Sequence, residues 1–352
     1  MNRNMLTIWL IMVTMFLAAA SGCSSINDST GSRKQNSEPL KVGLVLDVGG
    51  RGDLAFNDAA YDGLQKAQKE FGTHVQVQCL EPVEEADREK LLRSLAEDKY
   101  DLVLGMGQFF TNVIEEVALD YPLTRFVLID AFIDGLKSNN NISCFTFKEH
   151  EGAFLAGAAA AMKTKSGTIG FIGGIQAPVI ERFEAGYIAG AKYVKPDIVV
   201  LSSYVGTGLE GFRNPEKAGE LAARQMENGA DVICHAAGKS GNGVNEVVTS
   251  RGRLVIGEDV DQTFTLPEEK QPYVLTSVIK GVSKAVYDSV SLQLKGELAG
   301  GYYEYGLKDD GVYIAENSIN KTLLADLKPR LEEIKTGIIS GEIKVPASKQ
   351  EL

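Results

Sequence analysis

What the chain has little of narrows its class first. Its three histidines, His74, His150 and His235, stand at no spacing that pairs metal ligands, so neither a metal nor any other cofactor is expected. Beyond Cys23 the cysteines are Cys79, Cys144 and Cys234, an odd number, widely separated and in or beside apolar runs. They read as buried free thiols, with one disulfide as the alternative. The one tryptophan, Trp9, sits in the apolar leader. Basic residues are outnumbered, 36 Lys and Arg against 47 Asp and Glu, for a net charge of −11. An acidic surface argues against a nucleic-acid partner, which needs clustered cations to displace counterions. After the leader no apolar run is long enough to cross a bilayer.

Signatures of catalysis are also missing. Gly238-Lys239-Ser240 resembles the end of a phosphate-binding loop, yet Ile233 stands where that motif needs its first glycine. Gly238-x-Ser240 continues as Gly241-Asn242 rather than x-Gly, so no nucleophile elbow is formed. The Gly49-Gly50-x-Gly52 turn misses the dinucleotide-binding spacing. The expectation is a protein that binds rather than reacts.

The chain begins Met1-Asn2-Arg3 and is apolar from Leu6 to Ala20, interrupted by Thr7 and Thr14. About 15 residues are too few for a spanning helix and suit a signal-peptide core. Ala20-Ser21-Gly22-Cys23 resembles a bacterial lipobox, which implies cleavage after Gly22, acylation of Cys23 and attachment to the outer face of the cell membrane. Residues 1–22 are thus expected to be a signal peptide, and the polar stretch 23–39 a flexible tether.

About 310 residues follow, enough for two domains. Short apolar strands alternate with amphipathic segments: Val42 to Leu46, Val75 to Cys79, Leu102 to Gly105 and Phe126 to Ile129, with helical periods through Ala60, Leu64, Ala67 and Phe71, at Ala86 to Glu97 and at Asn112 to Leu119. From Glu149 the alternation repeats, ending at the strand Leu254 to Gly257, and one further helix is expected over Lys321 to Ile339. This pattern predicts an α/β fold of two doubly wound parallel-sheet lobes. Their expected limits are 40–147 plus 259–298 for the first and 148–258 plus 299–352 for the second. Ligands bind at the carboxyl ends of such strands, where glycines and carboxylates collect here: Asp47 to Gly50, Gly105 to Gly107, Asp130, Gly173-Gly174, Ala237-Gly238 and Gly257 to Asp259. Two such edges facing one another make a cleft.

The richest segment is Asp47-Val48-Gly49-Gly50-Arg51-Gly52-Asp53-Leu54-Ala55-Phe56-Asn57. Its plain reading is a strand-to-helix turn with Asn57 as helix cap and Phe56 as core. It also resembles the Asp-x-Gly-Gly-x-x-Asp-x-Ser-Phe-Asn pattern of the basic membrane protein family of lipoproteins, departing at Ala55. The resemblance continues through Glu151 to Gly157, Gly170 to Gly174, Phe183 to Tyr187, Ala237 to Val244, Val255 to Gln262 and Leu275 to Lys280. Within these, Lys239 and Ser240 replace Gly-Thr, and Glu258 replaces an apolar residue.

The resemblance implies a type I periplasmic-binding-protein fold and the capture of a purine nucleoside, adenosine, guanosine or inosine, for an ABC permease. It implies a base stacked between Phe56 and Phe212, with Asp47, Asn57 and Asp130 on the base, Asp259 and Lys280 on the ribose, and Gly238 in the lining. Asp261 is the alternate to Asp259. Asp130 could instead cap a strand end, and Lys280 could be a solvated charge. A monomeric receptor is expected. The alternatives are a ligand-sensing lipoprotein of a signalling system and, further off, a nucleoside-processing enzyme on the same scaffold.

Overall fold

A computed structural model of the chain describes residues 38–47 and 49–352. The expected leader, Cys23, most of the tether, and Val48 of the first turn lie outside the described residues. Strands β1 (Leu40–Val45), β2 (Val75–Leu80), β3 (Leu102–Met106), β4 (Arg125–Ile129) and β5 (Ile142–Phe147) are interleaved with helices α1 (Phe56–Phe71), α2 (Asp87–Glu97) and α3 (Thr111–Asp120). Helix α4 (Glu149–Lys163) then leads into β6 (Thr168–Gly173), α5 (Pro178–Val194), β7 (Val199–Tyr204), α6 (Pro215–Glu227), β8 (Val232–Ala236), α7 (Gly241–Ser250) and β9 (Leu254–Asp259). The remainder is β10 (Val274–Lys280), α8 (Val282–Lys295), β11 (Gly301–Tyr305), β12 (Val312–Ile314), α9 (Lys321–Leu324) and α10 (Lys328–Ser340).

Two six-stranded sheets result, ordered β11-β5-β4-β3-β1-β2 and β12-β10-β9-β8-β6-β7. Every pairing is parallel except β10 with β12. Inner strands such as β3 and β10 are buried along their whole length, as continuous apolar runs covered on both faces should be. At the sheet edges β2 and β7 leave Gln76 and Val199 exposed. Helix α1 covers its sheet with Ala60, Leu64 and Ala67, one stripe at helical spacing and wholly buried. Helices α4 and α5 cross with backbones touching: a Cβ on Gly190 would lie 1.9 Å from the Phe154 carbonyl oxygen. Only glycine admits that approach.

The strand pairing corrects the expected lobe limits. Residues 259–298 do not stay together, because β10 hydrogen-bonds to β9 of the second sheet while α8 packs on α1 of the first. Conversely β11 adds to β5 and belongs with the first sheet. The chain therefore passes between lobes three times, at Lys148, at Gly281 and between β11 and β12. These passages are tied together: the Lys148 N–H donates to the Tyr305 carbonyl at 2.8 Å, and the Gly281 N–H to that of Gly311 at 2.8 Å. The expected helix over Lys321 to Ile339 is two helices. Pro329, at the first turn of α10, has no N–H to continue a preceding helix.

Candidate functional site

The carboxyl ends of both sheets open onto one cleft of about 720 Å3, mouth included. That lies within the roughly 300–1,000 Å3 typical of small-molecule sites. Asp47, Phe56, Asn57 and Asp130 reach it from the first lobe, and Phe212, Gly238, Asp259 and Lys280 from the second. The eight residues expected at the ligand site thus line a single cavity. Asp261 does not line it; its carboxylate accepts from the Thr263 N–H at 3.1 Å and from Asn317 Nδ2 at 2.8 Å, shaping the turn that follows β9.

On the first lobe, Asp53 rather than Asn57 serves the helix start. Its buried carboxylate accepts the backbone N–H groups of Ala55, Asn57 and Asp58 at 3.0, 2.7 and 3.1 Å, satisfying donors that the first turn leaves open. Relieved of that task, the Asn57 side chain takes the Asp47 N–H at 2.9 Å and fixes that residue at the cleft. Asp47 Oδ1 also accepts from Arg88 Nη2 at 3.1 Å. The buried Arg88 guanidinium lies over the rings of Phe109 and Phe110, centroids 5.2 and 5.5 Å away, and Phe109 is a further aromatic in the lining.

Across the cleft, Glu258, which stands where the family pattern has an apolar residue, has a structural task. It is buried and accepts the N–H groups of Ala237 and Gly238 at 2.5 and 2.6 Å, so it pins the loop after β8. Ser240 pins the same loop from its other end, donating to the Gly211 carbonyl at 2.7 Å and accepting the Asn214 N–H at 2.8 Å.

Asp130 and Asp259 occupy equivalent places, at the ends of β4 and β9, and both have left-handed backbone, φ 62° and 61°. Aspartate tolerates that conformation better than most side chains, at an energy cost that functional sites commonly retain. Lys280 joins them, with Nζ 2.7 Å from Asp130 Oδ2 and 3.3 Å from Asp259 Oδ1, beneath the Phe56 ring at 5.0 Å. Since Lys280 and Asp130 belong to opposite lobes, this pair crosses the cleft, as does the 3.4 Å bond from Asn242 Nδ2 to the Asp53 carbonyl. The resemblance puts Asp130 with the base-contacting residues; the structure joins it to Lys280, the residue expected at the ribose. All three side chains are buried, so Lys280 is no solvated charge.

Burial pushes the Asp259 carboxyl up to about 8; Lys280 opposes this, while Glu258 and Asp130 add to it. Burial alone would lower the Lys280 ammonium, but Asp130, Asp259 and Glu149 outweigh it and hold it above its ordinary value. Behind them burial pushes Glu149 up to about 7, opposed by Arg182, its hydrogen-bonded partner. Among the described residues Asp130 Oδ1 and Asp259 Oδ1 accept no hydrogen bond, the latter meeting Lys280 Nζ only as an ion pair at 3.3 Å, which leaves two acceptors for a ligand.

Sequence reading missed Asp53 as the cap, Arg88, Phe109 and Glu149. Arg88 lies within the helical stretch Ala86 to Glu97 with no local mark, and only the fold turns it inward. Among the described residues no group of side chains could hold a metal ion, the thiols of Cys79, Cys144 and Cys234 are unpaired, and no helix is long and apolar enough to cross a membrane.

Two parallel-sheet lobes, three passages between them and a cleft lined from both sides define a ligand-binding protein of the type I periplasmic-binding-protein class. A family model described as ABC transporter substrate-binding protein PnrA-like, Bmp, matches residues 40–349. The chain is 36% identical to the CD4+ T-cell-stimulating antigen of Listeria innocua, over 97% of each chain. It is 33% identical to the ABC transporter nucleoside-binding protein BmpA of Lactococcus lactis, over 94% of this chain and 95% of that one. Among solved structures it resembles an ABC transporter system solute-binding protein of Aeropyrum pernix, with TM-score 0.78 and 28% identity, covering 88% of this chain and 94% of that one. The chain belongs to the Bmp family of ABC transporter substrate-binding proteins.

Proposed function

We propose that the protein captures purine nucleosides, adenosine, guanosine or inosine, and delivers them to an ABC permease as a monomeric lipoprotein anchored through Cys23 on the outer face of the membrane. The observation that carries the ligand class is a pairing of features in one cleft. Phe56 and Phe212 reach it from opposite lobes, and buried acceptors on Asp130 and Asp259 make no hydrogen bond among the described residues. A nucleoside supplies the complement: a flat π-face for the rings and a vicinal diol for the carboxylates. Stacking contributes about 1–3 kcal/mol per base in comparable aromatic sites. Asp47 and Asn57 face the base, and Gly238 lets the backbone approach it. Asp259 and Lys280 hold the ribose, and Asp130, tied to Lys280, reaches the same end.

The nucleoside-binding name of the Lactococcus relative supports the ligand class, and the lipoprotein names of relatives from Pyrococcus abyssi and Pyrococcus furiosus support the anchor. Function requires the lobes to part for entry, so the cross-cleft pair of Lys280 and Asp130 would reform on closure. Thermal unfolding tests the reading. Inosine at 100 times its Kd should add about 2.7 kcal/mol of stability and raise Tm by several degrees, with ribose and uridine far weaker. An unmoved Tm with every purine nucleoside would refute it.

A further inference from the structure

The charged groups lining the cleft divide into those the protein has already used and those it has not. Asp47 is held by Arg88, Asp53 by three backbone amides and Glu258 by two. What remains lies in two places. One is a pair of buried oxygens, Asp130 Oδ1 and Asp259 Oδ1, which accept no hydrogen bond among the described residues although Lys280 Nζ stands 3.3 Å from the second. The other is Lys239, which lines the cleft half-buried and whose ammonium makes no hydrogen bond or ion pair among the described residues.

Lys239 is not loosely placed. It sits in the short turn Gly238–Ser240, and the two Ser240 hydrogen bonds, to Gly211 and from Asn214, lock that turn onto the stretch that carries Phe212. Gly238 in turn packs against Phe212, whose Cβ would lie 3.6 Å from a Cβ added there. Lys239 therefore springs from the same pinned turn that packs against Phe212, and its side chain lines the cleft that the ring borders. A cation without a partner beside an aromatic platform calls for a base edge rich in acceptors. The 6-oxopurines offer one, with O6 and N7 side by side, whereas adenine presents an amino donor in place of O6.

On the nucleoside reading given above, we infer that Lys239 is a specificity-determining residue that selects guanosine and inosine over adenosine by donating to the O6/N7 edge. The ligand then lies with its ribose at Asp130, Asp259 and Lys280 and its base edge at Lys239. The family pattern has glycine at this position, so the selectivity is a property of this chain's loop. A nucleotide is a poorer match, since its 5′-phosphate extends from the ribose, at the end lined by carboxylates.

The test is calorimetric titration of the full-length protein, refolded to free it of bound ligand, with guanosine, inosine, adenosine and guanosine 5′-monophosphate. Wild type should bind guanosine and inosine about tenfold more tightly than adenosine, the effect of one charge-assisted hydrogen bond. Lys239→Gln should erase that ratio, since it removes the cation from the oxopurine O6/N7 edge while its amide can both donate and accept and so also suits adenine N6/N7, and an unchanged urea-unfolding midpoint of the free protein would show an intact fold. Lys239→Glu should invert the ratio. Equal affinities in wild type, or a preference that survives Lys239→Gln, would overturn the inference and leave the nucleoside reading standing. Tighter binding of the monophosphate, lost in Lys239→Gln, would also overturn it by giving the ammonium to phosphate. No binding of any of the four would overturn the nucleoside reading and the inference with it.

Discussion

Replacing Lys280 by methionine is the perturbation with the clearest consequence. The side chain is 4% exposed, as is that of Asp259, and that of Asp130 is 8% exposed, so water cannot substitute for the ammonium. Removing it takes away the 2.7 Å donor of Asp130 Oδ2 and the cation beside Asp259. Breaking a buried pair from one side costs about 3–5 kcal/mol. Asp259 evades part of this by remaining protonated, since burial has already pushed it up to about 8. The loss should therefore sit near the lower end, about 3 kcal/mol, and move the urea midpoint down by about 1 M. Adding Asp130→Asn should recover part of the loss, because the orphaned charge is then gone. The two substitutions should show a coupling of at least about 1 kcal/mol in a double-mutant cycle. A Lys280→Met midpoint equal to wild type, or strict additivity, would refute the account of this pair.

Three other outcomes are expected. Phe56→Ala, Phe212→Ala and Asp259→Asn should each weaken nucleoside binding by about tenfold or more while leaving the unfolding midpoint of the free protein close to wild type, as dialysis against labelled inosine can check. Gly190→Ala should destabilise by about 2–3 kcal/mol in urea unfolding, because its Cβ meets the Phe154 carbonyl 1.9 Å away; wild-type stability would contradict the helix contact. The ligand-free protein should lose stability as pH rises from 6.5 to 8. The buried acids Asp259 and Glu149 bind more protons folded than unfolded, so their contribution is full at low pH and lost as pH climbs through about 8 and about 7. Half-buried His150, held down to about 4 by burial and by Arg182 and Lys148, opposes this only below its ordinary 6.5. Asp259→Asn should flatten the slope, and an equally steep slope in that variant would count against the assignment.

Most of the strands and helices were legible because this fold writes each as a run of its own period. The inner strands are continuous apolar stretches and the helices carry one stripe, so β3 and α1 could be placed within a residue or two. What was not legible depends on pairing between distant segments. Nothing local in Val274–Lys280 says that it joins β9 and not the first sheet, yet that choice decides which lobe carries Lys280. The step from β4 to β5 likewise breaks the alternation: residues 130–141 are largely polar, without a helical period, and lead into a second strand directly.

The site divides the same way. Strand-end glycines and carboxylates marked its rim, and motif resemblance picked out the residues that reach the cavity. Arg88, Phe109 and Glu149 carry no local signal, since each gains its place only when separate elements pack. Asp53 could have been found, because a carboxylate just before a helical period is an ordinary capping signal. Glu258 shows the limit of pattern matching. A charge where the family pattern has an apolar residue had no visible purpose until the amides of Ala237 and Gly238 were seen to converge on it.

Calorimetric titration of the refolded, ligand-free protein with adenosine, guanosine, inosine, cytidine, uridine and ribose tests most simply whether the cleft between the lobes takes a purine nucleoside as a whole, base and ribose together. Sub-micromolar binding is expected, with one site per chain, confined to purine nucleosides, so that free ribose and the pyrimidine nucleosides give no comparable heat. Ribose binding as tightly as inosine, or silence toward every nucleoside, would contradict it.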